Sequence, residues 1–188
     1  MKNRYFFHSA RLSFRNWTEG DLHEFTKMNA DPAVMEHFPK QLTEHETSEF
    51  IHRLQQHYDK HNYTYFATEV LHTREFIGFI GLAYQEYETD FTPATDIGWR
   101  LKKSAWDKGY ATEGAKRCLE FAFDELGMDR IISVCTIGNR RSEPVMRKIG
   151  MQKKCLFNHP KLKDHPGYER CVCYEMTGKL WKQNQTII

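Results

Sequence analysis

The segment with the clearest chemical content runs from Asp96-Ile97-Gly98-Trp99-Arg100-Leu101 into Trp106-Asp107-Lys108-Gly109-Tyr110-Ala111-Thr112-Glu113-Gly114. An alternating stretch leads to a glycine turn, and the turn opens a helical pattern. The first turn of a helix has backbone N–H groups with no intrahelical partner. They point outward together, and the helix dipole adds partial positive charge. That combination is an anion site into which a phosphate fits. Gly109 lets the backbone approach a ligand closely, and Ala111 keeps the position two residues on small. Lys108 is expected to add charge at the mouth, whereas Asp107 weakens anion binding unless it points away. The pattern is neither a Walker loop nor a dinucleotide fingerprint, because both require glycine spacings absent here. A second polar cluster lies downstream. Asn139 supplies a donor and an acceptor at the end of an apolar run. Ser142, with Pro144 two residues on, is placed to cap a short helix.

No general base stands out. Asp96 and Glu86 are the carboxylates to weigh for that role, and a solvated carboxylate is the favoured reading of each. The ten histidines are scattered, and His8, His37, His159 and His165 are assigned to surface loops or ends. Cys118, Cys135, Cys155, Cys171 and Cys173 form an odd, scattered set, which argues for free buried thiols and not for a disulfide framework. Cys171 and Cys173 lack the second pair that a zinc site needs, so no metal is expected.

The elements that must position these residues follow from periodicity. Arg11 to Trp17 alternates as a strand, and Thr18 with Asp21 resembles a capping box opening a helix that Asp31-Pro32 stops. Thr43 with Glu46 is a second box, before a helix to about His57. Tyr63–Leu71 and Glu75–Tyr84 form a hairpin around Leu71-His72-Thr73-Arg74. Thr95–Leu101 is the strand before the glycine turn, and a helix follows from about Tyr110 to Glu125, closed by Gly127. Arg130 to Ile137 is nearly continuous in apolar residues, as in a strand buried on both faces. A short helix spans Ser142 to Lys148. A His- and Pro-rich loop, Asn158 to Gly167, precedes a strand from Glu169 to Met176. The order is β-α-α-β-β-β-α-β-α-β-β. One α/β (α+β) domain covering residues 1–188 is the economical reading.

These segments together resemble the GNAT superfamily of N-acetyltransferases. Its acetyl-CoA motif is a Gln or Arg, two free positions, Gly, one free position, then Gly or Ala. Gly109 and Ala111 match the last two fixed positions, and Trp106 stands where Gln or Arg is usual. Trp at that position resembles the RimJ/RimL type of ribosomal-protein acetyltransferase, from whose usual text Asp107 and Gly114 depart. Arg11-Leu12-Ser13-Phe14-Arg15, Asn29-Ala30-Asp31-Pro32 and Ile77-Gly78-Phe79-Ile80-Gly81-Leu82 resemble other stretches of that branch in the same order, so the likeness spans nearly the whole chain.

The resemblance implies a mixed, mostly antiparallel central sheet of about seven strands flanked by helices. It implies acetyl-CoA as co-substrate, held by Trp99, Arg100, Leu101, Trp106, Asp107, Lys108, Gly109, Tyr110, Ala111, Thr112, Asn139 and Ser142. Trp99 to Leu101 would act through main chain, on a strand that splays from its neighbour. Asn139 and Ser142 are the implied catalytic residues, approaching the thioester. Many superfamily members carry a tyrosine acid seven residues beyond the Asn. Met146 occupies that position here, and Ser142 is the implied substitute. The reaction implied is direct attack of a primary amine on the thioester. The acceptor is a protein N-terminus, as in the ribosomal-protein branch, or a small amine. A non-catalytic CoA-binding or sensing module is the rival reading. Relatives often form homodimers.

Bulk properties are those of an ordinary globular domain. The chain has 188 residues, 40% hydrophobic and 28% charged, with a formal net charge of +2. That charge is too near neutral to make nucleic acid or an anionic membrane the main partner. The apolar run Tyr5-Phe6-Phe7 after Lys2 and Arg4 is too short for a signal peptide, and a cytoplasmic location is expected.

Overall fold

A computed structural model describes residues 4–186. Met1 to Asn3, which begin the N-terminal run discussed above, and the final two residues lie outside it. The strands are β1 (Phe7–His8), β2 (Leu12–Arg15), β3 (Tyr65–Val70), β4 (Phe76–Gln85), β5 (Ala94–Leu101), β6 (Arg130–Thr136), β7 (Gln152–Asn158) and β8 (Arg170–Thr177). The helices are α1 (Leu22–Ala30), α2 (Glu44–His61), α3 (Tyr110–Glu120), α4 (Ser142–Lys148) and α5 (Gly178–Gln185). The sheet has eight strands in the order β1-β2-β3-β4-β5-β6-β8-β7. The strand beyond the expected seven is β1, whose two residues are too few to show alternation. Helix α5 is also absent from the expected order. It is amphipathic only through Leu180 and Trp181, and it begins where the Thr177 hydroxyl accepts from the Leu180 N–H at 3.2 Å.

Local signals account for most boundaries. The Thr43 and Glu46 side chains each bond the other's backbone N–H and open α2. Asp21 Oδ2 accepts from the Thr18 N–H at 2.8 Å ahead of α1. Helix α2 runs one turn past His57 and stops at Asn62, left-handed at φ 61. After α3 the chain loosens into a π turn over Phe121–Glu125, with the Leu126 N–H reaching the Phe121 carbonyl at 3.0 Å.

The sheet packs on both faces. Leu12, Phe14, Ile80, Leu82 and Ile97 meet Ala115 and Leu119 of α3. Trp17, Phe25, Ile51, Leu54 and Phe79 fill the space under α1 and α2. Gly114 lies in the first of these contacts, where an added Cβ would stand 2.4 Å from Ile80 Cδ1. That close approach explains the glycine that departs from the branch's usual text. Arg15, almost fully buried, is neutralised by Asp21 and Glu69, each at 2.6 Å. All five cysteines are free, with Cys118, Cys171 and Cys173 buried. Burial pushes the Cys135 and Cys173 thiols up to about 12, so both stay protonated.

One irregularity positions the site. Every neighbouring pair is antiparallel except β5 and β6, which run parallel and pair only at Thr95↔Ile131 and Asp96↔Ile132. Beyond that point β6 stays with β8, and β5 continues to Leu101 without pairing to it. The Ser133 hydroxyl donates to the Ile97 carbonyl at 2.8 Å, at the base of the gap.

Candidate active site

Two cavities open from this gap, of about 510 Å³ and about 370 Å³. They adjoin, with His37, Phe38, Trp99, Arg100, Asn139 and Ser142 lining both.

The larger cavity ends at the start of α3. Trp106 donates its indole N–H to the Leu101 carbonyl at 2.8 Å, which ties the turn back to the end of β5. Asp107 and Gly109 are both left-handed, at φ 58 and φ 78. A Cβ-bearing residue is strained there, and Gly109 avoids that cost. The first intrahelical bond of α3 runs from the Glu113 N–H to the Gly109 carbonyl at 3.0 Å. The N–H groups of Tyr110, Ala111 and Thr112 precede it and are left for an anion. Arg11 braces the outside of the turn, donating to Glu113 Oε2 at 2.6 Å and to the Lys108 carbonyl at 3.0 Å. Of the expected binding residues, Trp99, Arg100, Leu101, Trp106 and Asp107 lie on this wall. Gly109, Tyr110, Ala111, Thr112, Asn139 and Ser142 complete the set. Lys108 does not. It is exposed and is not part of the wall. Besides Arg100, the cations on the wall are Arg140, Arg141 and Lys148, with the Arg141 guanidinium 4.1 Å from the Trp106 ring centroid. They lie in the segment that follows Asn139, where nothing local marks them as facing the turn at Trp106–Ala111, far upstream in the chain.

Ser142 is not the helix cap. Asn139 is: its Oδ1 accepts from the Ser142 N–H at 2.9 Å and from the Arg141 N–H at 3.3 Å. Ser142 is the first residue of α4, and its hydroxyl makes no hydrogen bond with the described residues. Capping by Asn139 therefore frees the Ser142 hydroxyl at the junction of the two cavities. Met146 lines the smaller cavity and is almost fully buried.

Asp96 is not a solvated carboxylate. It lines the smaller cavity, accepting from the Tyr65 hydroxyl at 2.6 Å and from Gln85 Nε2 at 3.4 Å. Burial pushes its pKa up to about 6, against the opposing hydrogen bonds of Tyr65 and Gln85 and the charge of Lys161. Tyr65 reaches it by crossing Gly98, where an added Cβ would stand 3.0 Å from the Tyr65 ring. Glu86 is exposed, as expected. Of the histidines assigned to the surface, His8 and His165 are exposed, but His37 and His159 line cavity walls. His37 Nδ1 lies 3.4 Å from the Thr136 hydroxyl, and the His159 ring packs 4.4 Å from that of Tyr87. Burial lowers the pKa of His159. Among the described residues no three metal-ligating side chains gather as a metal site.

The acetyltransferase (GNAT) domain family matches residues 11–152 of the chain. YnaD of Bacillus subtilis (strain 168), an uncharacterized N-acetyltransferase, is 30% identical over 151 residues, covering 79% of this chain and 84% of that protein. A GNAT-family acetyltransferase from Bacillus anthracis superposes with a TM-score of 0.74 at 25% identity, over 92% of this chain and 98% of that one. Two structures share the fold at lower identity. RimL, a ribosomal alpha-N-protein acetyltransferase, has a TM-score of 0.73 at 14% identity, over 92% of this chain and 93% of its own. Spermidine N-acetyltransferase from Vibrio cholerae, in complex with CoA and spermine, has 0.71 at 15%, over 91% of this chain and 98% of its own. Fold likeness therefore does not single out the RimJ/RimL branch.

Proposed function

The chain belongs to the GNAT acetyltransferase family and is an acyltransferase, and we propose that it transfers an acetyl group from acetyl-CoA to a primary amine by direct attack. The observation that carries this reading is the pair of adjoining cavities at the β5/β6 gap, with phosphate-binding features in one and an ionisable carboxylate in the other. The α3 N-terminus, with Arg140, Arg141 and Lys148, is suited to the pyrophosphate. The free main chain of Trp99 to Leu101 is suited to the amides of the pantetheine arm. The thioester would then lie near Trp99, Asn139 and Ser142, where the cavities meet.

Attack requires a neutral amine and a route for its proton. Asp96, largely ionised at neutral pH with a pKa of about 6, can accept that proton directly or through one water. The Tyr65 hydroxyl orients it. The Ser142 hydroxyl, without a hydrogen-bond partner among the described residues, can hydrogen-bond the departing sulfur, which Met146 cannot do. The acceptor-side cavity is small and lined by aromatic rings, and it supports a small-molecule amine over a protein N-terminus.

The test is release of free thiol from acetyl-CoA with a panel of amines and peptides. Turnover with small amines supports the reading. Acetylation confined to peptide N-termini would move the acceptor to the protein class. Tight CoA binding with no turnover on any acceptor would favour a sensing module.

A further inference from the structure

The main chain of Arg100 borders the pantetheine site, but its side chain has no part in the acetyl-transfer chemistry, and that side chain is the most unusual group on the wall. Strand alternation puts it with Asp96 and Gly98 on the face of β5 toward α1 and α2. Its guanidinium lies among phenyl rings, 4.0 Å from the Phe38 centroid, 5.5 Å from Phe79 and 5.7 Å from Phe50. Nη1 donates to Asn29 Oδ1 at 2.8 Å, and Asn29 is fully buried. Nε is buried with no partner, and Nη2 makes no hydrogen bond with the described residues. No described carboxylate pairs with it. Arg15, the other deeply placed arginine, shows the contrast: Asp21 and Glu69 engage its Nε, Nη1 and Nη2. Aromatic faces attract a cation but offer no acceptor for its N–H groups. Burial accordingly lowers the pKa of Arg100 to about 10.

The rest of the cavity has the same bias. Asp96 is the one carboxylate on its wall among the described residues, whereas Lys161 adds a second cation. A wall of that charge suits an acceptor that brings its own anion, and it disfavours a polycation.

Resting on the acetyl-transfer reading, we propose that the acceptor is a small amine bearing a carboxylate, and that Arg100 receives this carboxylate through its Nε–Nη2 edge. That edge presents two parallel N–H donors, the arrangement that a carboxylate accepts in bidentate fashion. Asn29 occupies Nη1 and so holds the fork in place. Phe38 is the ring nearest the guanidinium and is 37% exposed, on the segment between α1 and α2. It is the ring the ligand displaces to reach Nε. The amine then lies toward Gly98 and Asp96, along the same face of β5.

The experiment compares kcat/KM, by thiol release from acetyl-CoA, for matched acids and carboxamides. The pairs are L-phenylalanine, L-methionine and 4-aminobutanoate, each with its amide, and spermidine serves as the polycation. In the wild type each favoured acid exceeds its amide by about 10- to 100-fold, the range of one charged hydrogen-bonded pair. Arg100→Gln removes that preference by slowing the acid at least about 10-fold more than the amide, while Arg100→Lys keeps part of the preference. Equal rates on acid and amide in the wild type, faster turnover of spermidine, or equal losses on acid and amide in Arg100→Gln would overturn the proposal. If Arg100→Gln fails to fold by circular dichroism, Arg100→Lys decides by the same ratio. If no amine turns over, calorimetric binding of each acid and amide to the CoA-loaded protein reads the preference directly. An Arg100-dependent preference for acids then retains the carboxylate site while the acetyl-transfer reading falls, and no preference sinks the site itself.

Discussion

Replacing Asp96 with Asn should make the protein more stable and less active at the same time. Burial raises the Asp96 pKa from its ordinary 3.8 to about 6. A carboxyl group whose pKa is higher in the folded chain binds its proton more tightly there than in the unfolded chain. Stability therefore falls as pH rises from about 4 to about 6, and the full cost of the buried anion stands above pH 6. At about 1.4 kcal/mol for each tenfold change in proton affinity, that cost is about 2–3 kcal/mol once partial contact with water is allowed for. Asn keeps an oxygen for the Tyr65 hydroxyl and carries no charge. Asp96→Asn should thus raise the melting temperature by roughly 4–10 °C at pH 8, with the gain vanishing near pH 4. The same change should lower kcat by about 10²- to 10⁴-fold and abolish the acid limb of the pH–rate profile near pH 6. Scanning calorimetry at pH 4, 6 and 8, with kcat measured from pH 5 to 9, tests both halves. A variant no more stable at pH 8 would show that the Tyr65 and Gln85 hydrogen bonds outweigh burial. A variant whose rate still bends near pH 6 would remove Asp96 as the base.

Ser142→Ala should reduce kcat by about 10- to 100-fold and leave the acetyl-CoA dissociation constant within about twofold; unchanged turnover takes Ser142 out of the mechanism. Gly109→Val forces a β-branched residue into φ 78 at the α3 N-terminus. It should weaken CoA binding by about 10- to 100-fold in a calorimetric titration, and unchanged affinity would mean the turn does not hold the pyrophosphate. His57 accepts the Tyr84 N–H at Nε2 (2.9 Å) and donates from Nδ1 to the Tyr63 carbonyl (2.8 Å), which requires the neutral ring. Burial lowers its pKa below 6.5, so the folded chain binds fewer protons there and stability is lost as pH falls through 6.5 toward the folded value. Urea unfolding at pH 7.5 and 5.5 should show a smaller loss in His57→Gln than in the wild type; equal losses would place the acid response elsewhere.

What the amino-acid sequence determined on its own is whatever depends on a few neighbouring residues. The Thr43–Glu46 box, the stop at Asp31-Pro32, the glycine turn at Gly109 and the alternation of β5 are set by hydrogen bonds and sterics within one or two turns of chain. The GNAT reading rested on such local pieces in order, and the sheet and its helices followed. Where local signal was short or absent, elements were missed: β1 has two residues, and α5 is recognisable only once Trp181 packs against Phe123 at 5.5 Å and bonds Asp124 at 2.9 Å.

The tertiary structure alone decided the electrostatics of the site. Asp96 looks like any strand carboxylate until Tyr65, 31 positions away, covers it. His37 looks like a loop histidine until the segment after α1 folds over the gap between β5 and β6, beside Thr136. Ser142 looks like a helix cap until Asn139 takes that place. Arg100 is marked in the sequence only through its main chain, and its side chain gains a role once α1 supplies Asn29 and three phenyl rings close around it. The cost of burying a charge and the worth of a partner depend on what surrounds the group in space. Those surroundings come from segments tens of residues apart, and the local pattern that sets a turn or a strand carries no record of them.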